Sequence, residues 1–264
     1  MTVLVVYISH IINSQLIKNF LSIKEAISNF ENYNIVWCNP NNKIINDELN
    51  DYIINLNISD EDLRDKNNEN VINGHLHYLG VYNRFPNYDY YWYIENDVII
   101  NNENQKDGWI NLFSFYQNSL EDFICSKINK WKDYRYYQLR YPIYSLQKYF
   151  NNPFVNINID MLYFGFLPVC RMSNRFLQII KKYYQSENGY LEWVIPSLAK
   201  YYNMSICSLS DDKFDIDESN YTNDNLSYNY WEINQGSISW EPKKDDSYKT
   251  QYPKNTIIHP VKYI

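Results

Sequence analysis

Val3 to Ile8 is an unbroken apolar run in which β-branched and other aliphatic side chains dominate. A half-exposed strand alternates polar and apolar residues, so six apolar positions in succession point to a strand covered on both faces, as in an α/β sheet. Leu16, Phe20, Ile23, Ile27 and Phe30 then recur at spacings of four and three, one apolar stripe along a helix that begins near Asn13 or Ser14. Asn34 to Cys38 follows as a second strand, closed by Asn39-Pro40-Asn41-Asn42. A β-α-β opening of this kind is how a nucleotide-binding α/β sheet commonly begins.

At 264 residues the chain can bury a sizeable core, and no Pro/Gly/Ser linker divides it, so one domain over 1–264 is expected. A formal net charge of −7 argues against a nucleic-acid surface, which needs clustered Lys and Arg. Cys38, Cys125, Cys170 and Cys207 stand far apart with no CxxC, which suits reduced, mostly buried thiols. The first residues lack a basic segment and a small-residue cleavage site, and their apolar run is too short to span a bilayer. The expectation is a first β-strand, no transmembrane segment, and a cytoplasmic protein, with contact to a membrane surface left open.

The tract from Asp47 to Asn73 is polar and Asn-rich and reads as loops and short helices. A short helix is expected at His75 to Tyr82, then a turn at Pro86-Asn87-Tyr88-Asp89, an aromatic strand from Tyr90, a helix over Gly108 to Gln117 and a strand over Phe123 to Ser126. Trp131 to Phe154, crowded with Tyr and Arg, has no clean period and reads either as an acceptor-facing wall or as plain surface. Phe164 to Cys170 reads as a strand, and Ser173 as the cap of a helix with Phe176, Ile180, Tyr183 and Tyr184 inward, ending near Gly189. Pro196 is acceptable in a helix's first turn, which puts Glu192 at or before the start of a helix running to Tyr202. Ser205 to Leu209 returns as a strand, and Thr256 to Val261 is a short apolar run around His259.

Within Tyr90-Tyr91-Trp92-Tyr93-Ile94-Glu95-Asn96-Asp97-Val98 two carboxylates follow an aromatic strand, one residue apart. Side chains at i and i+2 of an extended chain share a face, so Glu95 and Asp97 are expected to point at one ligand. Hard oxygen donors in this arrangement suit Mg²⁺ or Mn²⁺ held against a diphosphate. The plain alternative is a surface Asp in a turn. Asp60/Asp62 and Asp215/Asp217 have the same spacing but no aromatic strand before them. His75 and His77 alternate as strand-borne metal ligands would, but the stretch reads as helix. No Walker A loop, G-x-G-x-x-G, G-x-S-x-G or Cys/His nucleophile pattern is present.

Four stretches, Leu4 to Leu21, Pro86 to Leu112, Gly165 to Leu198 and Ile257 to Lys262, together resemble glycosyltransferases of the GT-A fold. The likeness is to a bacterial-type group in which Tyr-Tyr-Trp precedes a Glu-x-Asp-Val form of the DxD motif, where many relatives have Asp at both positions. The resemblance implies a Rossmann-like mixed central sheet flanked by helices, with a nucleotide-sugar-binding half over 1–130 and an acceptor-binding half with a C-terminal tail over 131–264. It implies a nucleoside-diphosphate-sugar donor, a UDP-sugar foremost, a Mn²⁺ or Mg²⁺ cofactor, and a glycan or glycolipid acceptor. Ser9 and His10 would line the donor loop, Glu95 would meet ribose, metal or metal-bound water, and Asp97 would ligate the ion.

His259 would complete the metal shell as a neutral imidazole, which favours Mn²⁺, or would simply be packed. Lys262 and Arg171 would neutralise diphosphate oxygens, or be ordinary surface charges. Glu192 would be the base that activates the acceptor of an inverting reaction, or a plain helix-start acid. Trp109 and Trp193 are candidate sugar-stacking platforms, against the commoner role of core. Two other classes compete with a transferase: a noncatalytic carbohydrate-binding scaffold on a degenerate GT-A fold, and a metal-dependent phosphoesterase using the same acids.

Overall fold

The structure is a computed structural model that describes residues 1–40, 49–59, 74–130, 162–183, 191–209 and 256–259. β1 (Val3–Ile8) is buried along its whole length, as six successive apolar residues require. α1 (Ser14–Ile27) starts where Asn13 caps it: the side-chain Oδ1 accepts from the backbone N–H groups of Gln15 at 3.0 Å and Leu16 at 2.9 Å. Its buried stripe includes Leu16, Phe20, Ile23 and Ile27, and it delivers the chain to β2 (Tyr33–Asn39), parallel to β1. β3 (Ile53–Asn55) pairs parallel with β2, a strand that the Asn-rich sequence around it did not announce.

α2 (His75–Arg84) runs antiparallel to the aromatic strand it precedes, β4 (Tyr90–Glu95): Tyr82 packs on Tyr91 with ring centroids 5.8 Å apart, and Tyr78 on Tyr93 at 4.4 Å. By this register the start of α2 is level with the end of β4. The chain then passes through β5 (Ile99–Asn101), α3 (Gln105–Tyr116), β6 (Phe123–Lys130), β7 (Tyr163–Ser173), α4 (Asn174–Tyr183), α5 (Leu191–Tyr201), β8 (Ile206–Ser208) and β9 (Thr256–Ile258).

Among the described residues seven strands form one mixed central sheet in the order β3-β2-β1-β4-β7-β6-β8. Only β7 is antiparallel to its neighbours in that sheet; the other pairings are parallel. α1 and α3 cover one face, where Phe113 packs on Phe30, Tyr33 and Trp92. α2 and α4 cover the other, joined where the Tyr82 hydroxyl donates to Asn174 Oδ1 at 3.3 Å. The expected class, an α/β fold with a mixed central sheet flanked by helices, is therefore the observed one.

From β1 the chain walks outward through β2 to β3, then returns to the other side of β1 to lay down β4. That reversal leaves a crevice above the carboxyl ends of β1 and β4, the place where open α/β sheets bind ligands. The register Ile8↔Glu95 sets the last residues of the two strands side by side at this edge.

Two details depart from expectation. α5 begins at Leu191, five residues before Pro196, so the proline lies inside the helix. The partner that Pro196 cannot bond is the carbonyl of Glu192, one turn back. Ser173 does cap α4, its Oγ accepting from the Phe176 N–H at 3.1 Å, although it is also the last residue of β7. No disulfide joins the four cysteines, and Cys38, Cys125 and Cys170 are buried. The stretch Trp131 to Phe154 and the expected helix end near Gly189 lie outside the described residues.

Candidate metal centre

β4 ends at Glu95, and the chain turns at once: the Val98 N–H donates to the Glu95 carbonyl at 3.2 Å, closing Glu95-Asn96-Asp97-Val98 into a turn. The two carboxylates thus converge through a turn, where the sequence pattern suggested a continuous strand. Beyond the turn, β5 pairs antiparallel with β9 in a separate two-stranded sheet, with Ile99 opposite Ile258. This pairing draws the residue after β9, His259, up to the acidic turn across more than half the chain's length.

His259 Nε2 lies 3.2 Å from Glu95 Oε2 and 3.2 Å from Asp97 Oδ1. Among the described residues this is the cluster of His, Cys, Asp and Glu that could hold a metal ion. An octahedral ion with bonds of about 2.1 Å needs neighbouring donors about 3 Å apart, so the two 3.2 Å separations fit one, and all three ligand atoms lie within 4.8 Å of one another. Two carboxylates and an imidazole form a donor set suited to Mn²⁺. Phe166 of β7 closes one side, its ring edge-on to the imidazole with centroids 5.5 Å apart. The acids are wetter than the histidine, with side-chain exposures of 45% and 29% against 12%. An ion here would thus have protein on one side and room for a ligand on the other.

Burial alone would lower the pKa of His259, but the hydrogen bonds and charges of Asp97 and Glu95 outweigh it and raise the value to about 10. The two acids thus favour the protonated imidazole. His75 and His77 open α2 at the same edge, and burial pushes both down, to about 3 and about 4. They stay neutral and are not joined to the acidic group.

The remaining sequence candidates divide. His10 is exposed just past β1, at the mouth of the crevice. Ser9 is buried, and its hydroxyl is used locally, donating to the Ile11 carbonyl at 2.7 Å and accepting from the Ile11 N–H at 3.3 Å. It shapes the loop more than it faces a donor. Glu192 is half-buried in the first turn of α5. Leu191 beside it packs so closely on Gly74 that an added Cβ there would clash with its Cδ2, which sets the start of α5 against the start of α2 at the crevice edge. Lys262 and the Trp193 side chain lie outside the described residues.

Arg171 is a correction. It stands opposite Trp92, three residues before Glu95 along β4, or roughly 10 Å down the strand. Its fully buried guanidinium donates to the carbonyls of Tyr116 at 2.8 Å, Ser119 at 2.9 Å and Glu121 at 3.2 Å, and to Ser119 Oγ at 2.8 Å. These groups close the end of α3, where a cation also suits the helix dipole. That placement turns its donors to the end of α3 and away from the crevice. Trp109 is likewise core, 1% exposed and stacked on Phe113. Sequence reading missed Tyr7 and Phe166. A lone hydroxyl in an aliphatic strand was the available signal for Tyr7, because a buried Tyr O–H usually needs a partner.

No family model and no curated protein matches the chain. Among solved structures it is similar to the galactosyltransferase LgtC in complex with donor and acceptor sugar analogs, with 9% identity over 97% of this chain and 86% of that one and a TM-score of 0.46. It is similar to S. aureus TarS 1-349 at 13% identity over 80% of this chain and 59% of that one, with a TM-score of 0.41. Core-mannan synthase A from Aspergillus fumigatus, in a Mn/GDP form, matches at 12% identity over 67% of this chain and 61% of that one, with a TM-score of 0.31. The chain thus spans less than two thirds of the latter two. Identities this low say nothing about a reaction. Among the described residues no helix is long and apolar enough to cross a membrane.

Proposed function

We propose that the chain is a divalent-metal-dependent glycosyltransferase of the GT-A type, moving a sugar from a nucleoside-diphosphate donor, a UDP-sugar foremost, to a hydroxyl of a glycan or glycolipid. One observation carries this: Glu95, Asp97 and His259 converge at the carboxyl ends of β1 and β4, in the crevice where the strand order reverses. Bound there, Mn²⁺ or Mg²⁺ supplies a Lewis acid against the charge that builds on the departing diphosphate. Asp97 and His259 are the ligands in this reading, and Glu95 completes the acidic side or meets the ribose. His10 borders the nucleotide, with Ser9 shaping its loop. Lys262, three residues past His259, would reach the diphosphate.

For an inverting transfer the acceptor hydroxyl must lose its proton to a carboxylate on the far side of the sugar. Glu192 is proposed for that role, since the first turn of α5 favours a negative side chain and reaches the same edge. The test is nucleotide release from a panel of UDP-, GDP- and CMP-sugars with and without Mn²⁺, with product anomericity read by NMR. Release that needs both a sugar donor and Mn²⁺ is expected. No release from any donor would leave the scaffold class standing, and phosphodiester hydrolysis without a donor would favour the phosphoesterase.

Metal uptake should be coupled to proton release. Asp97 and Glu95 raise the His259 pKa to about 10, above the unfolded value of about 6.5, so its bridge to the acids contributes stability that is complete below pH 6.5 and lost as pH rises through 10. Mn²⁺ needs the neutral imidazole and must displace that proton. Calorimetric titration in buffers of different ionisation heat should therefore show about one proton released per Mn²⁺ at pH 7.5. Affinity should climb with pH across this window, by up to about tenfold per unit. Proton-free uptake would remove His259 from the metal shell.

A further inference from the structure

We infer that Tyr7, which lies in β1 and away from any reacting atom, is the positioning residue that aims Asp97 at the metal. The inference rests on the metal-site reading above. Tyr7 is fully buried, and its hydroxyl donates to the carbonyl of Asn96 at 3.1 Å. That carbonyl belongs to the peptide joining Asn96 to Asp97. A peptide is planar, so fixing its C=O direction fixes the rotation on both sides, ψ of Asn96 and φ of Asp97. The direction of the Asp97 Cα–Cβ bond follows from it.

Glu95 does not need this help. It is the last residue of β4 and is held in register beside Ile8. Asp97 lies two residues past the end of the strand, where the Val98 N–H to Glu95 carbonyl bond closes the turn but leaves its central peptide free to tip. The Tyr7 hydroxyl holds that central peptide.

The tyrosine ring is in turn clamped in the core. It meets Trp37 edge-on at 5.1 Å and 79°, and Phe20 at 5.9 Å and 56°. The central strand thereby reaches past its own end and ties the acidic turn to the most deeply packed part of the sheet. A phenylalanine would fill the same space in the core without making the tie.

The test is Mn²⁺ binding to the full chain, by calorimetry and by the EPR signal of the free ion, on parent, Tyr7→Phe, Trp37→Phe and Asp97→Ala. Groups that orient metal ligands from outside the shell typically change affinity by about 10- to 100-fold, and Tyr7→Phe is expected at the lower end, roughly tenfold weaker. Trp37→Phe trims the same aromatic cluster without touching the hydroxyl, and should lower Tm while leaving Mn²⁺ affinity within twofold. Tyr7→Phe affinity within twofold of the parent would overturn the positioning role, and so would equal losses of affinity in Tyr7→Phe and Trp37→Phe. If the parent binds no Mn²⁺, or if Asp97→Ala binds as well as the parent, the metal-site reading itself fails, a result separate from failure of the Tyr7 assignment.

Discussion

Asp97→Ala is expected to lower metal-dependent transfer by about three orders of magnitude, equivalent to about 4 kcal/mol of transition-state stabilisation. Asp97 provides one of the two oxygens 3.2 Å from His259 Nε2, and its side chain is the drier of the two acids. Without it the site retains Glu95 and His259, a set with one charge and one donor fewer. The fold should survive, because both acids sit part-exposed at the sheet edge, but His259 loses one of the two carboxylates that hold it, so Tm should fall by several degrees at neutral pH. Glu95→Gln should act in the same direction but more weakly, because Glu95 is the more exposed acid. Steady-state nucleotide release in saturating Mn²⁺, alongside thermal unfolding, separates the two effects. Turnover in Asp97→Ala within threefold of the parent would sink the metal assignment.

Where local forces dominate, the sequence was readable. Val3–Ile8 could be only a doubly covered strand, Asn13 could cap α1, and Ser173 could cap α4, because each depends on residues within a turn or two. The candidate metal site was half legible for the same reason. Glu95 and Asp97 are neighbours in the chain, so their convergence needed only a strand end and a turn. His259 is brought in by β5 and β9, each three residues long, and no periodicity can announce strands so short.

Pro196 misled in a different way. Its ring set the helix start too late because α5 tolerates the missing bond near its first turn. Tyr7 shows the opposite limit. The residue pattern places it in the core, but the partner of its hydroxyl, the Asn96 carbonyl, becomes known only when β1 and β4 are side by side.

The sequence allows Arg171 two roles, a diphosphate partner or an ordinary surface charge, and the structure instead buries it against the end of α3. Arg171→Met is expected to destabilise the fold by roughly 3–5 kcal/mol, because the carbonyls of Tyr116, Ser119 and Glu121 lose a charged donor at once. For a chain of this size that corresponds to a fall in Tm of about 10 °C. Burial already lowers the arginine's pKa, while the ring of Tyr90, 4.4 Å from the guanidinium, gives the cation an electron-rich face.

Arg171→Lys should recover only part of the loss. An ammonium keeps the charge but cannot spread its donors over three carbonyls as the planar fork does. The discriminating comparison is between unfolding and donor binding in the same variants. Reduced Tm with donor KM and Mn²⁺ affinity within twofold of the parent is the result expected of a residue that closes α3 from inside the core. A tenfold rise in donor KM with Tm unchanged would return Arg171 to the diphosphate and require the sheet register that pairs it with Trp92 to be wrong.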